Sequence, residues 1–265
     1  MLKFIFIFFI ALNLFACATS PTGRKQFILV SDQDMEQMGY QAFSDMKKKL
    51  PIEREAKVNS YVQCISQSIL RHTRENIPVK NWEVVVFRDP SANAFALPGG
   101  KIGVHTGLLK VAQTADQLAA VIGHEIGHVW ARHGSERVSQ STALQSGLAL
   151  TDALLDKNNS SRGLLLAGLG LGSQFGVLLP FSRKHESEAD EIGLLLMAKA
   201  GFDPRSSIEL WQNMARAGGG APPEILSTHP SNQSRISGLQ KNMPQAMQIF
   251  NQATASGVSP GCVTL

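Results

Sequence analysis

His124-Glu125-Ile126-Gly127-His128 constrains this chain more than any other stretch of it. Two histidines four residues apart on a helix differ by roughly 40° around the axis and about 6 Å along it, so both imidazoles can close on one zinc ion. Glu125 lies about 100° from His124 on the same helix, poorly placed as a ligand but within reach of a water beside the ion. With 7 His and 21 Asp plus Glu in 265 residues, about 0.015 such matches are expected by chance. The flanks suit a helix as well, with Asp116 to Ile122 before the motif and Val129 to Arg132 after it, and the spacing predicts a helix over 114–133. Zinc-dependent hydrolysis is the reading this favours. A helix carrying two hydrogen-bonded core histidines is the competing one.

The first 16 residues read as a leader that is removed. Lys3 supplies a positive charge, and Phe4 to Leu12 form an apolar run too short for a permanent bilayer span. The run ends in Leu14-Phe15-Ala16-Cys17, which resembles the bacterial lipoprotein signal, where the cysteine is lipidated and becomes the first mature residue. That likeness implies acyl chains on Cys17, and several chains on one residue make a stable anchor. With Ala18 next, it further implies a periplasm-facing position on the outer membrane; a plain secretory leader and a soluble periplasmic product are the alternative. Cysteine usage agrees with export. Besides Cys17 only Cys64 and Cys262 remain, and one intramolecular pairing is open to them. Two unrelated thiols are the competing reading.

Removing 16 of 265 residues leaves about 249, enough for one domain with its own core. Residues 17–265 are accordingly expected as a single domain, with a short tether over 17–30 and a tail over 251–265. The formal charge of +4 falls to +3 once Lys3 leaves, too weak and too scattered for nucleic acid. No glycine-rich phosphate loop and no fixed-period repeat is present in the sequence. Besides the motif helix, periodicity predicts helices over 33–49, 52–74, 136–154, 184–200, 204–216 and 231–241. Trp82 to Phe87 is the best strand, and Phe95 to Leu97 and Lys101 to His105 flank a turn at Pro98-Gly99-Gly100. The apolar, glycine-bearing stretch 164–179 is too short for a bilayer span and is expected to be buried or mobile near the site. The fold class is mainly α with a small β-sheet, α+β.

A catalytic zinc takes three protein ligands and leaves one position for water. His133 lies five residues after His128, about 140° off the shared face, and cannot join the site from the same helix. Ala131 and Gly134 stand where the long metzincin pattern needs glycine and histidine, which excludes that family. The segment Ser182 to Gly193 is more promising. Read as a helix, it puts Glu186, Asp190 and Gly193 on one stripe with Met197, and Glu188 and Glu191 on another. A carboxylate, a second carboxylate one turn later and a glycine allowing close helix approach suit a third ligand and a partner that orients a ligand histidine. Geometry alone leaves Glu186, Glu188 and Glu191 open, and an ordinary acidic helix face is the competing reading.

Glu186-x-x-x-Asp190 after His-Glu-x-x-His resembles the zinc metallopeptidase family of HtpX, BepA, LoiP and the CAAX prenyl endopeptidase, and within it the exported LoiP- and BepA-like branch. The similar blocks are Thr22-Gly23-Arg24 with Gln26 to Val30, Asn93 to Gly100, His105 to Leu109, the motif helix with Arg132-His133, Leu179 to Arg183, and Ser227-Thr228-His229-Pro230 with Arg235. The resemblance implies a gluzincin-type core with one zinc per chain on His124, His128 and Glu186. It makes Glu125 the catalytic base and sets Asp190 behind a ligand. It also places His229 near the metal. There His229 would donate to the developing oxyanion with Arg235 as a supporting charge, or act as a removable fourth ligand. A histidine in a surface loop is the plain alternative.

Phe95-Ala96-Leu97 is the expected edge strand, pairing with an extended substrate backbone; a buried hairpin capping the metal helix is the competing reading. The function that follows is a metalloendopeptidase acting on unfolded or misassembled envelope proteins. An outer-membrane assembly factor or chaperone with secondary or latched proteolysis, partnered by the assembly machinery, is the rival. A zinc hydrolase of non-peptide bonds comes third.

Overall fold

A short hairpin opens the described chain: β1 (Cys17–Thr19) pairs antiparallel with β2 (Lys25–Phe27), Cys17 opposite Phe27. The computed structural model describes residues 17–72, 77, 79–154, 179–217, 233–262 and 265. The expected leader, residues 164–178 and His229 lie outside them. Residues 17–30, expected as a tether, thus begin as a docked element. The buried Gln26 side chain donates to the Ala131 carbonyl at 2.6 Å, a bond that water would otherwise have to supply.

α1 (Asp32–Lys49) starts where Ser31 accepts from the Asp34 amide at 3.1 Å, with acids in its first turn and three lysines in its last, in line with the helix dipole. α2 (Ala56–Arg71) begins four residues later than the predicted 52. Residues 51–53 are held extended against the sheet instead: Ile52 bridges Phe87, and the Arg88 amide donates to Pro51 at 2.7 Å. Val62, Ile65 and Ile69 of α2 are fully buried, the stripe that periodicity predicted.

The main sheet runs β3 (Glu83–Phe87), β5 (Lys101–His105), β4 (Ala94–Leu97) across its width, with β3 parallel and β4 antiparallel to β5. Gly99 and Gly100 make the β4–β5 turn at φ +78° and +74°, which only glycine adopts without strain. β4 is an edge of this sheet. Phe95 sits opposite Gly103, and its ring fills the space a Cβ there would need, at 2.2 Å. The same ring meets Phe43, Phe87 and His105, so its side chain is committed to packing.

α3 (Ala115–Trp130) carries the motif and is capped by Thr114, which accepts from the Gln117 amide. It stops short of the predicted 133. Arg132 adopts φ 54°, a left-handed conformation unusual outside glycine, and α4 (His133–Leu154) restarts in a new direction. Then come α5 (Leu179–Lys199), α6 (Ser206–Ala217) and α7 (Gln233–Ala255). α7 continues well past the predicted end at 241, through Pro244. Leu239, Met243, Ala246 and Phe250 lie on its core stripe, and their burial offsets the roughly 3 kcal/mol that an interior proline costs. The fold is mainly α with small sheets, α+β as predicted. Among the described residues no helix is long and apolar enough to cross a membrane.

α3 and α5 touch at two glycines. A Cβ on Gly193 would stand 2.6 Å from the His124 nitrogen and 2.8 Å from the Gly123 carbonyl carbon, both backbone atoms that cannot turn aside. Gly193→Ala is therefore expected to cost about 1–3 kcal/mol through forced separation of the helices. Thermal unfolding checks this, and an unchanged midpoint would contradict the contact.

Cys64 of α2 and Cys262 of the tail form a disulfide, with Cα atoms 5.7 Å apart and a sequence separation of 198. Cross-linking so long a loop is worth on the order of 5 kcal/mol in the chain-entropy model. Reductant should lower the guanidinium midpoint markedly, and Cys262→Ser should reproduce the shift without it. Equal midpoints with and without the bridge would show that the tail is already held by packing.

Candidate metal centre

His124 and His128 come one turn apart on α3, and Glu186 arrives from α5, where the Gly123–Gly193 contact lets the helices approach. All three are buried, and their donor atoms converge. The two Nε2 atoms are 3.0 Å apart, and Glu186 Oε2 and Oε1 lie 3.3 Å from His124 Nε2 and 3.4 Å from His128 Nε2. Donors about 2.0–2.1 Å from a tetrahedral ion would be about 3.3 Å from one another, so the triangle fits a metal such as zinc.

The electrostatics ask for a cation. Asp190, one turn after Glu186, meets His124 Nδ1 at 2.9 Å and so turns Nε2 of that ring toward the triangle. Arg235 of α7 grips Asp190 from behind at 2.6 and 2.7 Å, reaches Glu186 at 3.2 Å and stacks its guanidinium 4.0 Å from the Trp211 ring. Burial opposes a charge on His124, but its bonds to Asp190 and Glu186 raise its pKa to about 9. Burial, together with the neighbouring histidines, keeps His128 well below the usual histidine range despite Glu186.

Glu125 is 2% exposed and lines one groove with His128 and with Phe95, Ala96 and Leu97 of the β4 edge. The arrangement sets the Glu125 carboxylate and His128 beside the edge strand β4.

The expected ligand triad, Glu125, Asp190, Arg235 and the edge strand are thus gathered in one place. His229 lies outside the described residues. Glu188, left open as a third ligand by periodicity, points elsewhere. It accepts from His133 Nε2 at 3.0 Å, from Arg24 Nε at 2.7 Å and from the hydroxyls of Ser20 and Thr22. Burial works against its charge, yet these four donors lower its pKa to about 2. His133, excluded as a ligand by helical geometry, is not one here. The left-handed turn at Arg132 nevertheless brings its Nδ1 to 2.8 Å from His128 Nδ1. Burial holds His133 neutral, with a pKa near about 4. Arg24 also clamps Glu136 with both terminal nitrogens, at 2.9 and 2.7 Å, and His185 donates to the same carboxylate at 2.9 Å. Sequence reasoning missed this network. Two signals bore on it: Thr22, Arg24 and His133 stand in blocks of the family resemblance, and Glu136, His185 and Glu188 are charged or polar positions on helices that turn out to be buried.

Comparison with known proteins agrees with the geometry. Residues 56–243 match Peptidase family M48. The mitochondrial metalloendopeptidase OMA1 of Schizosaccharomyces pombe is 44% identical over 167 residues, 62% of this chain and 48% of the relative. The human metalloendopeptidase OMA1, mitochondrial, is 33% identical over 242 residues, 86% of this chain and 46% of the relative. The beta-barrel assembly-enhancing protease of Escherichia coli is 28% identical over 225 residues, 82% and 45%. The chain spans about half the length of these relatives. The expected lipid-anchored position on a bacterial outer membrane, facing the periplasm, is overturned by this comparison. The yeast and human relatives are mitochondrial by name, and a four-residue likeness around Cys17 weighs little against similarity over most of the chain. A family match over residues 56–243, on a buried His-His-Glu triangle with a glutamate beside it, has one meaning: the chain belongs to Peptidase family M48, whose metallopeptidase character fits the centre described here.

Proposed function

We propose that this chain is a zinc-dependent metalloendopeptidase that hydrolyses peptide bonds in misfolded or misassembled proteins. The observation that carries the reading is the convergence of His124, His128 and Glu186 at donor separations suited to zinc, beside Glu125 in a groove edged by β4. His124, His128 and Glu186 would hold one zinc. When bound, zinc supplies Lewis acidity for the scissile carbonyl and its attacking water. Glu125 takes the proton from that water and returns it to the departing amine, a transfer worth about 10²–10⁴-fold when well positioned. The outer edge of β4, along Phe95, Ala96 and Leu97 on the side away from β5, receives an extended substrate segment by strand pairing. Pairing through backbone selects for local unfolding over side-chain identity, which supports misfolded chains as the substrate class. Arg235 and Asp190 keep His124 aimed, and His229 remains our candidate donor to the developing oxyanion.

A second reading, an assembly factor whose proteolysis is secondary, is favoured by the name of the Escherichia coli relative. Purified protein should degrade unfolded casein but spare a folded, disulfide-locked protein. A strong chelator should stop the reaction, and one equivalent of zinc should restore it. Casein cleavage that persists in metal-free protein would refute the proposal.

A further inference from the structure

The function above leaves unused a buried polar chain behind His128. Glu188 accepts from His133 Nε2 at 3.0 Å, and the other ring nitrogen of His133 lies 2.8 Å from His128 Nδ1. His128 Nε2 faces the triangle, 3.0 Å from His124 Nε2 and 3.4 Å from Glu186, so as a ligand His128 carries its proton on Nδ1, where His133 can accept it. Asp190, on α5, accepts from His124 Nδ1 on α3 directly. For His128 the terminal carboxylate is itself held from outside the helices. Ser20, Thr22 and Arg24 of the N-terminal hairpin bind Glu188, and Arg24 links it to Glu136 on α4.

We propose that the N-terminal hairpin is a working part of the metal centre, with Arg24 a positioning residue that sets the ring orientation and tautomer of His128 through Glu188 and His133. The inference rests on the metal-binding half of the proposed function and not on peptide hydrolysis. The hairpin lies outside residues 56–243, so it adds to the centre a segment that the family match does not contain. Arg24 touches both Glu136 and Glu188 from a single guanidinium, a planar fork suited to bridging two carboxylates. Without it two buried carboxylates repel, and Glu188 loses its anchor against His133. The effect reaches His128 three contacts away, with no change in the ligands themselves.

Arg24→Ala and His133→Phe, made in the full chain and loaded with zinc, test this through zinc transfer to a chromophoric chelator. Nitrogen-15 spectra of the metal-free protein report in parallel which His128 ring nitrogen carries the proton. Each variant should bind zinc ~10–100-fold more weakly, the loss typical when a group supporting a ligand is removed. Millimolar guanidinium should restore affinity to Arg24→Ala, because it refills the vacated fork, and should leave His133→Phe unchanged. Wild-type His128 should carry its proton on Nδ1. A folded Arg24→Ala protein with zinc affinity within about twofold of wild type would overturn the proposal, since a supporting contact should cost more. Should Arg24→Ala fail to fold, His133→Phe decides by the same criterion. If the wild type binds no zinc, the metal reading itself has failed, and a His128 proton found on Nε2 still overturns the positioning role on its own.

Discussion

Glu125→Gln is expected to lower peptide hydrolysis by ~10²–10⁴-fold while leaving one metal ion per chain. The two halves of that result come from separate features. Glutamine has the shape of glutamate, so it fills the same buried position on α3 and leaves His124, His128 and Glu186 untouched. It carries no basic oxygen of comparable strength, so it cannot take the proton from an attacking water. Hydrolysis of fluorescently labelled casein, with elemental analysis of the same sample, reads both quantities. Wild-type turnover with full metal would remove Glu125 from the base role, and lost metal would make it a structural residue instead.

Glu186→Ala should empty the site, weakening metal binding by more than the ~10–100-fold typical of groups that act from behind a ligand. Loss of one donor is only part of the reason. Arg235 Nη1 lies 3.2 Å from the Glu186 carboxylate and is buried with it, so alanine leaves a cation facing the space where the metal belongs. Chelator competition measures the affinity, and circular dichroism confirms that the helices persist. Retained metal would move the third ligand elsewhere. Glu188 is the wrong place to look for it, because four donors already occupy its oxygens.

The parts of the centre that lie on regular helices were legible from spacing. His124 and His128 share a face at four residues, and so do Glu186 and Asp190. Choosing Glu186 over Glu188 took the family resemblance, since both acids prove buried and only their neighbours distinguish them. The support for His128 was illegible for a specific reason. It depends on a left-handed Arg132, which no local residue preference announces, and on Arg24, which is 112 positions from Glu136 along the chain. Element boundaries failed where tertiary contacts outweighed local preference. Ile52 joined a strand in place of a helix, and α7 passed through Pro244 because its apolar stripe continued to the core beyond it. The reading of the first residues as a lipoprotein signal rested on a motif too short to bear a statement about location.

Arg24 and Arg235 stand near opposite ends of the sequence, and each braces one of the two metal-binding histidines. Both rings are therefore braced only once α7 has docked on α5, late in the order of the chain. A chain folded only as far as α5 thus has His124 in place on α3 without the Arg235 brace that reaches it through Asp190.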